Sequence, residues 1–254
     1  MSYRVCIPTA GSGSRLGNFT KFINKSLVSI ANRPTLCHII EQFPSDTEFV
    51  LALGFKANLM REFLELAYPD QKFFFADVQP FEGPGAGLGL SLLACKEFLQ
   101  QPFIFISCDT LVKETIPVLD ENWMAYAETA DIEPYRTLTL DGKRVTSICE
   151  KGVGNFNTNK AYIGLAGIHD FKIFWESMEN GGLEAIQTGE AYGFRSLLSS
   201  NITAHKFTWF DTGNPKALAI TRDVYREPDA PNILEKANEA IWFVNNQVIK
   251  FSDD

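Results

Sequence analysis

The sequence has no apolar run long enough to cross a bilayer, no apolar leader in "MSYRVCIPTA", no paired Cys-x-x-Cys spacing, no internal repeat and no low-complexity tract. The first two absences argue against a membrane partner and lead us to expect a cytoplasmic protein. Five cysteines, Cys6, Cys37, Cys95, Cys108 and Cys149, are odd in number and far apart. They read as reduced, mostly buried thiols rather than a disulfide framework or a zinc site. The three histidines, His38, His169 and His205, form no metal-ligand spacing and read as structural. A net charge of -8 counts against a general nucleic-acid binder, which needs a basic face to displace backbone counterions. It does not exclude a small phosphorylated substrate, because a few cations focused in a cleft outweigh the global sign there.

What is present is a core-forming composition, 45% apolar and 21% charged over 254 residues. Up to about residue 110, short apolar runs alternate with segments of helical period. "YRVCIPT", "EFVLAL", "KFFFADV" and "FIFISC" read as strands, and "PTLCHIIEQF", "KANLMREFLELAY" and "GAGLGLSLLACKEFLQ" as helices. Strands apolar at consecutive positions imply a sheet covered on both faces. Beyond Asp109 the pattern becomes β-rich: "YRTLTLDGKRVTSICEKG" predicts a hairpin with a type I′ turn at Asp141-Gly142, and "KAYIGLAGIHD" and "NITAHKFTWFD" predict further strands. "FKIFWESMENGG" and "NPKALAITRDVYRE" predict helices. The expectation is a Rossmann-like α/β domain over residues 1–226, with a mixed, mostly parallel sheet, helices on both faces and a β-rich insertion.

A glycine-rich loop, "PTAGSGSRLGNFTKFINK", follows the first strand. No register of Gly11, Gly13 and Gly17 gives a Walker A loop, and a dinucleotide fingerprint begun at Gly11 meets Leu16 where a small residue is needed. What remains is a strand followed by G-S-G-S-R-L and a distant lysine. Small residues let backbone N–H groups close on phosphate oxygens, and Arg15 can bind them as a fork.

This loop resembles the signature of the sugar-phosphate nucleotidyltransferases, matching at Gly11, Gly13, Arg15, Leu16 and Lys25. The resemblance continues through "VQPFEGPGAGLGLSLL", "FISCDTLV", "ICEKG" and "FTWFDTGNPKAL", and spans roughly residues 3 to 225. It implies the nucleotide-diphospho-sugar transferase fold and transfer of a nucleotidyl group to a sugar-1-phosphate or similar small phosphorylated acceptor, with Mg²⁺ as cofactor and pyrophosphate as leaving group. By the same resemblance Arg15 and Lys25 are catalytic, Ala10, Gly11, Gly13, Gln79, Gly85 and Gly87 bind the nucleotide, Glu150, Lys151 and Gly167 bind the acceptor, and Asp109 and Asp211 hold the metal. It leaves room for a homo-oligomer. The base and the acceptor stay open: one glutamine amide can pair with uracil, thymine or cytosine edges.

Blander readings stand beside these. Lys21 rivals Lys25 for the phosphate, Asp109 could cap a helix at "TLVKETI", and Cys108 is packing rather than a nucleophile. Two residues depart from the family pattern, Asn24 before the lysine and Gly152 after Glu-Lys, where proline is usual. A non-catalytic nucleotide or sugar-phosphate binding protein and a glycosyltransferase on a related fold are the alternative functions. The second commonly uses an Asp-x-Asp metal motif, absent before a suitable strand here. Residues 227–254 read as a linker, "EPDAPN", and a β-hairpin turning at Asn245-Asn246. The hairpin either packs back on the main domain or begins a fused choline-kinase-like domain, and the expectation is that deleting residues 239–254 leaves nucleotidyl transfer and thermal stability nearly unchanged.

Overall fold

Apolar residues at consecutive strand positions bury both faces of one nine-stranded sheet. The computed structural model describes residues 3–155, 157–226, 228 and 238–253. Across the sheet the order is Phe73–Asp77, Glu48–Leu53, Arg4–Pro8, Phe103–Ile106, Lys160–Ile168, Trp123–Ala127, Thr203–Lys206, Arg144–Cys149 and Thr137–Asp141. The first four strands are mutually parallel. Lys160–Ile168 runs antiparallel to both its neighbours and begins the mixed half.

Because side chains alternate across a pleat, Val5 and Ile7 enter one core with Leu36, Ile39, Phe63 and Leu64. Cys6, between them, enters the other with Leu92, Cys95 and Phe105. The helix Ala57–Ala67 buries Met60, Phe63, Leu64 and Ala67, the i, i+3, i+4, i+7 stripe of one helical face. Helices Leu88–Cys95, Phe171–Asn180 and Glu190–Leu197 cover the opposite face. Four of the five cysteines are buried, Cys149 is half-buried, and none is bonded to another. Among the described residues no helix is long and apolar enough to cross a membrane.

The structure departs from the sequence reading in several places. Trp123–Ala127 is a central strand not anticipated, and the helices Gly182–Thr188 and Glu190–Leu197 occupy a stretch left unassigned. "NITAHKFTWFD" is two strands: Thr203–Lys206 joins the main sheet, and Trp209–Asp211 pairs with Thr110–Val112. A strand therefore follows Asp109, and the helix-capping alternative falls. The expected β-rich insertion joins the main sheet, whose far edge is the hairpin Thr137–Asp141/Arg144–Cys149. Its turn is shifted by one residue: Asp141 pairs with Arg144, and Gly142, at φ +59°, is the first central residue. Positive φ at that position alone belongs to a type II′ rather than a type I′ turn.

The C-terminal hairpin, Glu239–Val244 with Gln247–Ser252, turns at Asn245 (φ +49°) and Asn246 (φ +61°), the type I′ signature. It packs on the main body. The buried Trp242 ring meets Phe63 edge-on at 5.2 Å, and its Nε1 donates to the Leu27 carbonyl at 3.0 Å. Asn245 Nδ2 donates to the carbonyl of Ala67 at 2.7 Å. The linker reading, Glu227 to Asn232, lies outside the described residues except for Pro228.

Candidate active site

Open α/β sheets place ligands beyond the carboxyl ends of their parallel strands, and a cleft of about 580 Å³ opens there. The first strand ends at Pro8, and Ala10 and Gly11 line the cleft; Phe103–Ile106 ends just before Ser107 and Asp109, which line it too.

Lys25 reaches the cleft through its predecessor. Asn24 is fully buried; its Nδ2 donates to the carbonyls of Thr9 (2.7 Å) and Phe55 (2.9 Å), while its Oδ1 accepts from Ser26 N and Oγ. Those bonds fix the turn that proline fixes by covalent geometry in the family pattern. At the other departure, Gly152 has φ +71°, which a proline ring cannot adopt. Gly13, at φ +69°, lets the glycine loop lie against this lysine, since a Cβ there would stand 2.8 Å from Lys25 Cβ.

Lys25 Nζ donates to Asp109 Oδ2 at 2.9 Å, Ser107 Oγ donates to Asp109 Oδ1 at 2.7 Å, and Arg15 Nη2 stands 3.9 Å from Oδ2. Burial works to raise the Asp109 pKa, but the Lys25 charge and these hydrogen bonds overcome it and hold the carboxyl at about 2. Burial likewise opposes the Lys25 charge, and Asp109 more than offsets it, so the ammonium pKa is raised. Cys108, beside them, is pushed up to about 11 chiefly by burial and remains a thiol. Lys21 lies over the Phe22 ring at 4.9 Å and does not line the cleft.

Asp211 is brought to Asp109 by the short two-stranded sheet, in which it pairs with Thr110. Thr212 N then donates to the Asp109 carbonyl at 3.0 Å. Asp211 accepts from Gly213 N (2.8 Å), Tyr135 Oη (3.2 Å) and Asn214 Nδ2 (3.2 Å). Its pKa is nevertheless raised, by burial first and by the Asp109 charge. A Cβ on Gly213 would stand 2.8 Å from Asp109 Oδ2 and 3.1 Å from Asp211 Oδ1, so the missing side chain keeps a space between the two carboxylates.

That space and donor set fit a hard divalent cation. Asp109 Oδ1, Asp109 Oδ2 and Asp211 Oδ1 each accept one hydrogen bond and retain a further lone pair, and Mg²⁺ is commonly held by one or two carboxylates with phosphate oxygens completing its shell. Among the described residues no group of three or more His, Cys, Asp or Glu side chains could hold a metal.

The lining also includes Arg136, Lys151, Tyr162 and Glu190 and, beside Asp211, Tyr135 and Trp209. Burial, and then the neighbouring Arg15 and Arg136 charges, lower the Lys151 pKa. Such a concentration of cations favours an anion between them. Glu150 points elsewhere: Arg136 Nε donates to its Oε2 at 3.0 Å, Arg195 Nη2 donates to Oε1, and it does not line the cleft.

Of the residues the resemblance implies, Ala10, Gly11, Arg15, Lys25, Gly87, Asp109, Lys151 and Asp211 line this one cleft. Gly13, Gln79, Gly85, Glu150 and Gly167 do not. Gln79 is exposed, with Phe81 and Gly83 at the cleft in its stead. Gly167 sits inside the sheet opposite Ile104 and Trp123, while Gly164, three residues earlier, lines the cleft. Sequence reasoning passed over Ser107, Tyr135, Arg136, Tyr162, Glu190 and Trp209. Ser107 lay inside a quoted strand end and Tyr135-Arg136 at the mouth of the predicted hairpin; nothing marked Glu190, in a stretch with no assigned structure.

No family model matches the chain. A curated relative, the bifunctional protein GlmU of Methanococcus maripaludis, is 27% identical over 146 residues, 56% of this chain and 34% of that protein. The match thus spans about a third of that relative's length. Among solved structures, a candidate glucose-1-phosphate thymidylyltransferase of Bacillus anthracis superposes with a TM-score of 0.74 at 16% identity, covering 93% of this chain and 98% of that one. The CTP:phosphocholine cytidylyltransferase of Streptococcus pneumoniae gives 0.67 at 13% identity, covering 89% and 100%. From its sheet order to the cleft at its strand ends, the chain is built on the nucleotide-diphospho-sugar transferase fold shared by these nucleotidyltransferases.

Proposed function

We propose that the protein transfers a nucleotidyl group from a nucleoside triphosphate to a small phosphorylated acceptor and releases pyrophosphate. The observation that carries this reading is the pair of carboxylates, Asp109 and Asp211, converging beside Gly213 in a cleft that Arg15, Lys25, Arg136 and Lys151 also line. Binding alone needs no such pair of carboxylates among four cations.

An acceptor phosphate is already nucleophilic at neutral pH, so the residues' work is to align two anions and absorb the charge that develops. Lys151 and Arg136 hold the attacking phosphate. Arg15 and Lys25, with the backbone of Ala10 and Gly11, receive the departing pyrophosphate. Asp109 and Asp211 would hold Mg²⁺, which supplies Lewis-acid neutralisation of phosphate charge. Bond breaking at the α-phosphorus accounts for the absence of a Walker lysine, which serves the β- and γ-phosphates.

Mixing the protein with each common triphosphate and a panel of phosphorylated acceptors in Mg²⁺, with pyrophosphate as the readout, tests the reading. Release that needs both substrates supports it. Triphosphate binding without release would leave the non-catalytic alternative standing.

A further inference from the structure

The hairpin at the sheet's far edge sets two opposite charges side by side. Thr137 pairs with Cys149 at its open end, so Arg136 and Glu150 are the next residues along the two strands and meet across them. Arg136 Nε donates to Glu150 Oε2 at 3.0 Å, and the Arg136 carbonyl accepts from Tyr162 N at 2.9 Å. The other Glu150 oxygen accepts from Arg195, on the helix Glu190–Leu197. One carboxylate is thus held by two arginines from two elements, and of these three side chains only Arg136 lines the cleft.

A guanidinium carries five N–H groups, and Glu150 occupies only the one on Nε. The Arg136 side chain is 16% exposed. Neither of its Nη groups makes a hydrogen bond or ion pair among the described residues, yet neither is sealed from solvent. A planar fork gripped at its Nε end therefore keeps its Nη end free for a phosphate.

We propose that Glu150 is a positioning residue: it holds the Arg136 guanidinium so that the two Nη groups meet the phosphate of the acceptor, and it makes no contact with the acceptor itself. This departs from the family pattern, which gives the Glu of the Glu-Lys pair to the acceptor. The proposal rests on the nucleotidyl-transfer reading for what that phosphate does next, and not for whether it binds.

Three roles for Glu150 predict different results. As a bare charge beside a phosphate site it repels the ligand, so its removal tightens binding. As a direct contact to the body of the acceptor it matters only to ligands that have a body beyond the phosphate. As the holder of Arg136 it matters equally to every phosphate, because an unheld arginine must be ordered at the binding step.

Isothermal calorimetry on the full chain separates these roles without turnover. The probes are inorganic phosphate and glucose-1-phosphate, each added after saturation with magnesium pyrophosphate to occupy Arg15 and Lys25. The proteins are wild type, Glu150→Ala, Glu150→Gln, Arg136→Ala and the double variant Arg136→Ala/Glu150→Ala. Arg136→Ala should lose about tenfold in affinity for both probes. Glu150→Ala should lose roughly fivefold for both, with no further loss in the double variant relative to Arg136→Ala and no change in pyrophosphate affinity. Glu150→Gln keeps an acceptor oxygen for Arg136 and should lose less; it takes the place of Glu150→Ala if melting curves show that variant unfolded. Unchanged or tighter phosphate binding in both Glu150 variants would overturn the proposal. So would a loss confined to glucose-1-phosphate, a full additional loss in the double variant, or no binding of either probe by wild type. Failure of wild type to release pyrophosphate from triphosphate and acceptor sinks nucleotidyl transfer instead, and leaves the calorimetry to decide the role of Glu150.

Discussion

Asp109, half-buried, and Glu190, buried, are carboxylates of the same cleft, yet their surroundings push them in opposite directions. Asp109 is engaged by Lys25 and Ser107 and held at about 2. Glu190 makes no salt bridge among the described residues, and burial raises its pKa despite the charge of Arg136 and the facing Tyr162 hydroxyl. Burial opposes ionisation in both; the pre-assembled partner decides the outcome. One wall of the cleft is thus built before any ligand arrives. The other carries a buried carboxylate with no salt-bridge partner among the described residues, at a standing cost to the protein.

The largest test of that contrast is Asp109→Asn. It removes one of the two carboxylates and strands Lys25, and should lower kcat by roughly 100-fold or more. Unaltered activity would show that the assembled wall has no part in the chemistry. Arg15, mostly exposed and only loosely placed near Asp109, should matter less: Arg15→Ala is expected to reduce kcat and kcat/KM together by roughly tenfold. If KM alone rises, Arg15 binds the ground-state triphosphate and not the leaving group.

A substitution far from both walls separates stability from chemistry. Trp242→Ala opens a cavity against Phe63 and should lower the melting temperature by roughly 10 °C with kcat unchanged. Deleting residues 239–254 should lower it at least as much, because Trp242 completes a core that belongs to the sheet's own helices. Little change on deletion would favour a hairpin that serves a further domain.

The smallest expected effect is the most specific to the comparison. Glu190 has a raised folded-state pKa, so its ionisation destabilises the fold above that pKa and costs nothing below the unfolded-state value. Glu190→Gln should therefore raise the ligand-free melting temperature by about 3 °C at pH 7, with the gain fading toward pH 4. Asp109 has the opposite sign: its contribution is complete above the ordinary carboxylate range and is lost only as pH falls from about 4 toward 2. Melting curves of the two variants across pH 2–8 would cancel the contrast if they shifted in parallel.

The difference between the walls also explains what could be read before folding. Arg15, Lys25, Asp109 and Asp211 stand in or beside loops at strand ends, where glycine spacing and strand pattern mark them locally. Glu190 and Tyr162 carry no local mark. Tyr162 reads as an ordinary strand residue, and Glu190 opens the helix Glu190–Leu197 in a stretch whose apolar residues face other helices. Their meeting depends on how the strand Lys160–Ile168 and that helix dock, which is long-range information. Gly167 and Gly164 illustrate the same limit: two glycines in one strand, alike by motif, are separated only by the register that puts Gly167 against Ile104 and Trp123. The hairpin turns differ for a local reason. Asn245-Asn246 supplies two residues that tolerate positive φ, whereas at Asp141-Gly142 the ladder extends one residue farther and leaves only Gly142 in that region.

The central claim is that the scissile bond lies at the α-phosphorus, with the pyrophosphate leaving toward Arg15 and Lys25. Parallel reactions with triphosphate labelled at the α- or the γ-phosphorus, in the presence of acceptor and Mg²⁺, test it directly. The account predicts that the α label appears in the acceptor product and the γ label in pyrophosphate, both suppressed in Asp109→Asn. A γ label on the acceptor, or released as inorganic phosphate, would contradict it.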